Sequence, residues 1–119
     1  MKTTFRAVYR ITVFVPPEHL ERLLSSIRAV VPLRFGEYDD VLWFSSPGVE
    51  QFRPLPGSHP TLGKAMERTR HPSTKVEFSI ERDPSILSKV IEEGIRPGHP
   101  WEEPVIFVAE MQVPVVGKP

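Results

Sequence analysis

The chain has 119 residues, enough for one domain, with 39% hydrophobic and 25% charged residues, which is ordinary globular usage. Fifteen basic and fifteen acidic residues cancel, which argues against a general nucleic-acid or polyanion binder. No cysteine is present, which excludes disulfides, thiolate zinc sites and a cysteine nucleophile. No apolar run approaches the roughly 20 residues of a membrane helix, and MKTTFRAVYR lacks the apolar core of a secretory signal, so a cytoplasmic location is expected.

Phe5 to Val15 alternates and predicts a strand, stopped by Pro16-Pro17. Over residues 17–31 the period changes. Leu20, Leu23, Leu24, Ile27, Val30 and Val31 form the apolar stripe of a helix that Pro32 ends. VLWF, within Asp40 to Ser46, reads as a short strand. Ser46-Pro47-Gly48 reads as a turn, with Val49 to Arg53 as the return strand of a hairpin. Residues 54–63 form a proline-stiffened loop, and Lys64 to Arg70 reads as an edge strand. Thr74 to Glu81 alternates cleanly. Asp83-Pro84 then starts a second helix, with Asp83 as N-cap and Gly94 or Gly98 as its close. The last strand is Val105 to Val113, with Val105, Phe107, Ala109, Met111 and Val113 on one face.

This order predicts an α+β fold, a ferredoxin-like split β-α-β sandwich with two helices on one face of an antiparallel sheet. One domain is expected over 1–113, with a flexible tail at 114–119. The other sheet face, with Arg6, Arg10, Thr12, Lys75, Glu77, Glu81, Glu110 and Gln112, is either solvated or packs against copies of the chain, its charges pairing across the contact.

Three segments bring chemistry together. His99, Glu102 and Glu103 lie between prolines around Trp101. Imidazole and carboxylates suit a divalent metal or proton transfer, and equally suit capping and loop bonding. Arg53, His59 and two hydroxyls on the 54–63 loop suit an anion, or a structural arginine. Tyr38, Trp43, Phe44 and Phe52 can stack a planar ligand or serve as packing. His71 has no recognisable partner.

In order and spacing, GEYDDVLWF, GVEQFRPLPGSHPTLG, KVEF and GHPWEEPVIF resemble the YqfO-type domain inserted in longer Nif-three-like proteins. The HPWEEPVI stretch also resembles CutA-like proteins. The resemblance implies a CutA/PII-like ferredoxin fold and a homotrimer with sheets packed inward, with ligands in clefts between neighbours. The metal ligands of full Nif-three-like proteins belong to flanking domains, so dimetal chemistry and cyclohydrolase activity do not carry over. Three expectations follow. The first is a small cytoplasmic regulatory or binding protein holding Zn²⁺, Cu²⁺ or Mn²⁺ at His99, Glu102 and Glu103, or a small anionic ligand at Arg53 and His59 with Tyr38 and Trp43. The second is an acid/base enzyme or hydrolase using His99 with Glu102 or Glu103. The third is an interaction module without ligand. Neither a nucleic-acid nor a membrane partner is expected.

Overall fold

The structure is a computed structural model and describes residues 1–60 and 62–116. Its strands are β1 (Thr3–Val15), β2 (Trp43–Phe44), β3 (Gly48–Phe52), β4 (Thr69–Glu81) and β5 (Ile106–Val116). All pairings are antiparallel. β1 lies between β4 and β5, and β2 and β3 both pair with β4. One helix follows β1 and another follows β4, which is the expected ferredoxin-like frame.

The core forms where both periodicities meet. Tyr9, Ile11, Val13 and Val15 of β1 share a face with Val76, Phe78 and Ile80 of β4. Against them pack Leu23, Leu24 and Ile27 of α1 (Leu20–Arg28), with Val90 and Ile95 of the second helical segment. Each such side chain contributes about 1.5–3 kcal/mol by leaving water, before the entropy of ordering it. A 3-10 turn at Pro17–His19 leads into α1, so the regular helix is shorter than the apolar period suggests.

The second helical segment begins as expected. The Asp83 side chain accepts from the Ser85 amide at 2.9 Å, and Pro84 opens α2 (Pro84–Lys89). It then widens into a π-helical stretch, Val90–Ile95, and closes with the turn α3 (Arg96–Gly98). The wide stretch sits against α1, where the Ser26 hydroxyl donates to the Gly94 carbonyl at 2.6 Å. A Cβ on Gly98 would lie 2.6 Å from the Ser26 Cβ and 3.2 Å from the Leu23 Cα. Glycine is therefore used here for close approach of two helices.

Four expectations change. First, β2 and β3 do not form a hairpin with each other. Trp43 and Phe44 pair with Glu77 and Val76, while Gly48 to Phe52 pair with Ser73 to Thr69. Between Phe44 and Gly48 the edge takes four steps where β4 takes three. Ser46-Pro47 therefore marks a bulge in one interrupted edge, held by Ser45 bonds to Lys75 at 3.0 Å. Second, Lys64 to Arg68 is not a strand, and β4 instead starts at Thr69 and runs through Pro72. Pro72 is tolerated because this half of β4 pairs only with β3. Third, β5 continues through Pro114 to Val116, opposite Phe5 to Thr3, where a tail was expected. Gly117 to Pro119 of that tail, and Thr61 of the loop, lie outside the described residues.

The fourth change concerns the face of β5. Val108 and Glu110 lie opposite Ile11 and Tyr9, on the helix side. Phe107, Ala109 and Met111 lie opposite Thr12, Arg10 and Val8, on the open side. Glu110 and Gln112 therefore leave the open face, and an apolar strip replaces them. Phe107 is 59% and Met111 48% exposed, and Phe107 meets Phe14 edge-on at 6.4 Å. Of the charges that remain, Arg10, Lys75 and Glu77 pair within the chain. Glu77 accepts from Thr12 at 3.1 Å and lies 3.5 Å from Arg10 and 3.2 Å from Lys75. Burial raises the Glu77 pKa, but hydrogen bonds from Lys75 and Thr12 and the charges of Lys75 and Arg10 bring it below the usual value. At such part-exposed pairs each contact contributes about 0–1 kcal/mol.

Candidate ligand-binding cleft

α3 delivers the His99 to Val105 segment across the end of the sheet. His99 is 5% exposed. The β1–β5 ladder ends at Val13 and Ile106, and the next carbonyl on β1, that of Phe14, lies 2.7 Å from His99 Nε2. The Trp101 amide donates to His99 Nδ1 at 3.0 Å. Nδ1 is thus an acceptor, so the proton sits on Nε2 and Nε2 donates to Phe14. A neutral imidazole satisfies both bonds. Burial pushes the His99 pKa below its usual value, against the opposing effect of the Phe14 carbonyl and the nearby Glu50 charge. His99 is therefore a pin between strand end and loop, and in this arrangement neither ring nitrogen is free for a metal or for proton transfer.

The pin places Trp101. Its ring meets His71 at 5.0 Å, Phe52 at 5.8 Å and His99 at 5.3 Å. Phe52 and His71 meet at 5.7 Å. Glu50 and His71 are opposite each other in the β3–β4 ladder, which brings the two distant segments together. The Ser73 hydroxyl donates to Glu50 Oε1 at 2.7 Å. His71 Nδ1 lies 2.8 Å from the Pro72 carbonyl and donates to it, while its enclosed Nε2 has no hydrogen-bond partner among the described residues.

Beside this aromatic group opens a cleft of about 560 Å³. One wall is Glu50 to Phe52 with Pro54, the second is Gly57 to Pro60 with Leu62, and the third is Trp101 to Glu103 with Val105. The structure therefore brings His59, Glu102 and Glu103 to one place. His99 stands behind Trp101. Arg53 is exposed and does not line the cleft. Tyr38 is exposed on the loop after α1, where its backbone bridges Phe35. Trp43 lies on the open sheet face with the Lys75 ammonium 5.8 Å from its ring. Glu50 and His71 were missed by sequence reasoning, because only strand register joins them to the loop. Among the described residues no three His, Asp or Glu side chains are placed to hold a metal ion. No described helix is long and apolar enough to cross a membrane.

No family model matches the chain. A protein of Listeria monocytogenes described as a GTP cyclohydrolase 1 type 2 homolog is 29% identical over 105 residues. That alignment covers 87% of this chain and 27% of the relative. The chain thus spans about a quarter of the curated relatives it matches. A Bacillus cereus protein related to NIF3 superposes with a TM-score of 0.73 at 22% identity, over 93% of this chain and 29% of its own. CPII, a nitrogen regulatory PII-like protein from Thiomonas intermedia bound to ADP, AMP and bicarbonate, gives 0.58 at 14% identity, covering 98% and 99% of the two chains. CutA1 from Oryza sativa gives 0.59 at 13%, covering 96% and 84%. At these identities the structural matches speak for the fold. The chain is similar in sequence and in fold to one segment of the NIF3-related proteins, and it carries that segment on a CutA/PII-like ferredoxin frame.

Proposed function

We propose that the chain is a small regulatory binding domain that assembles through its open sheet face and takes its ligand in the cleft between the Gly57 to Pro60 turn and the Trp101 to Glu103 segment. The cleft carries this reading. Chemically distinct side chains from three separate segments converge there, as small-molecule sites require. The apolar strip of β5 supports self-association, because Phe107 and Met111 turn away from the helices and stay about half exposed among the described residues. The CutA/PII-like resemblance makes a trimer the expected closed assembly. Three glutamates line the cleft and Arg53 stands outside it, so a cation is favoured over the small anion expected from the loop sequence. The adenine nucleotides of the PII-like neighbour would meet that negative charge with their phosphates.

Native mass spectrometry of untagged protein purified without added metal tests the reading. A trimer carrying extra mass in fixed ratio, lost on Glu103→Ala, supports it. An adduct that persists in Glu103→Ala places the ligand elsewhere, and a bare monomer removes the assembly.

A further inference from the structure

We infer that the ligand of this cleft is a small organic cation, an amine or guanidinium carried on an apolar stem. The inference rests on the cleft being the ligand site. Its charge is one-sided. Glu50, Glu102 and Glu103 line it, His59 is the only basic side chain among its described lining residues, and none of those is Lys or Arg. Carboxylates alone would suit any cation. The aromatic rings narrow the choice. Phe52 and Trp101 both line the cleft with the glutamates. A cation over the face of such a ring is attracted by its quadrupole, most strongly at Trp.

One further feature fits the same class. Pro54, Leu62 and Val105 supply apolar wall, which a stem of methylenes covers and a hydrated metal ion does not. An ammonium or guanidinium brings several N–H donors, whereas a phosphate or carboxylate ligand brings acceptors to a site already rich in them.

The test follows the indole N–H signals of the two tryptophans by NMR on the full chain. Trp101 lies in the cleft and Trp43 on the open sheet face, so one reports and the other controls. Putrescine, spermidine and tetramethylammonium are titrated at matched ionic strength, with zinc chloride and ATP as competitors of other chemistry. The inference expects saturable movement of the Trp101 signal with the amines, a still Trp43 signal, and affinity weakened about tenfold or more by Glu102→Gln with Glu103→Gln. Both glutamates are exposed, and an otherwise unchanged spectrum shows that the variant is folded. Movement of Trp101 with zinc or ATP but not with amines overturns the organic cation and leaves the cleft standing. No movement with any of them overturns both. Amine shifts that survive the double variant also overturn the inference, because the carboxylates would then play no part.

Discussion

Replacing His99 by alanine tests the pin on which the cleft depends. The substitution removes the Nε2 bond to the Phe14 carbonyl (2.7 Å) and the Nδ1 bond from the Trp101 amide (3.0 Å). It also empties an imidazole-sized space at a buried site. Each lost bond costs about 1 kcal/mol, and stranding its buried partner raises this toward 1–3 kcal/mol. With the void, the total is about 3 kcal/mol, or roughly 10 °C in Tm for a domain of this size. Thermal unfolding by circular dichroism reads it. The pH dependence gives an independent check. His99 is held neutral in the fold, with its pKa lowered mainly by burial from a usual value of 6.5. Below that value the unfolded chain binds a proton that the folded chain resists. The stability is therefore full above pH 6.5 and is lost as pH falls from there through the lower folded pKa. His99→Ala must abolish that component of the slope. A Tm change within about 2 °C, or an unaltered slope just below pH 6.5, would refute the pin.

Three more outcomes follow from the packing. Gly98→Ala gains about 1 kcal/mol of helix propensity but drives a Cβ into Ser26 and the Leu23 backbone, so a net loss of about 1–2 kcal/mol is expected in urea titration. Trp101→Ala should leave the assembly intact while weakening ligand retention, since the ring walls the cleft and is not one of the side chains of the β5 strip. Loss of assembly in that variant would contradict the separation of the two surfaces. Phe107→Asp with Met111→Asp should dissociate the oligomer without unfolding it, because both side chains are already exposed in the single chain.

Much of the frame was legible because it rests on local periodicity. Ile11 and Val13, Val76 and Phe78, and the Leu23, Leu24 and Ile27 stripe announce their elements, and Asp83-Pro84 announces a helix start. The face of β5 was not legible. Ile106 and Val108 alternate with Phe107 and Met111, so both faces are apolar and only the register with β1 decides which one meets the helices. The bulge at Ser46-Pro47 looked like a hairpin turn because a proline breaks an edge strand and a reversal alike. At the cleft, His59 on one loop and Glu102 with Glu103 on another were each singled out by residue type, and it is the fold that lines one cleft with all three. His99 was grouped with them because adjacency in sequence hides direction. Its ring turns inward to the strand end while the two glutamates stay exposed.

In the function proposed above, the open face joins copies of the chain and the cleft binds the ligand. Assembly is the part most directly measured, by sedimentation equilibrium of the full chain beside its Phe107→Asp, Met111→Asp variant. A trimer gives about 41 kDa for the native protein, three times the 13.6 kDa chain, and the variant is expected as a folded species of 13.6 kDa. A native protein that sediments as a single chain, or a variant that keeps the native mass, would contradict it.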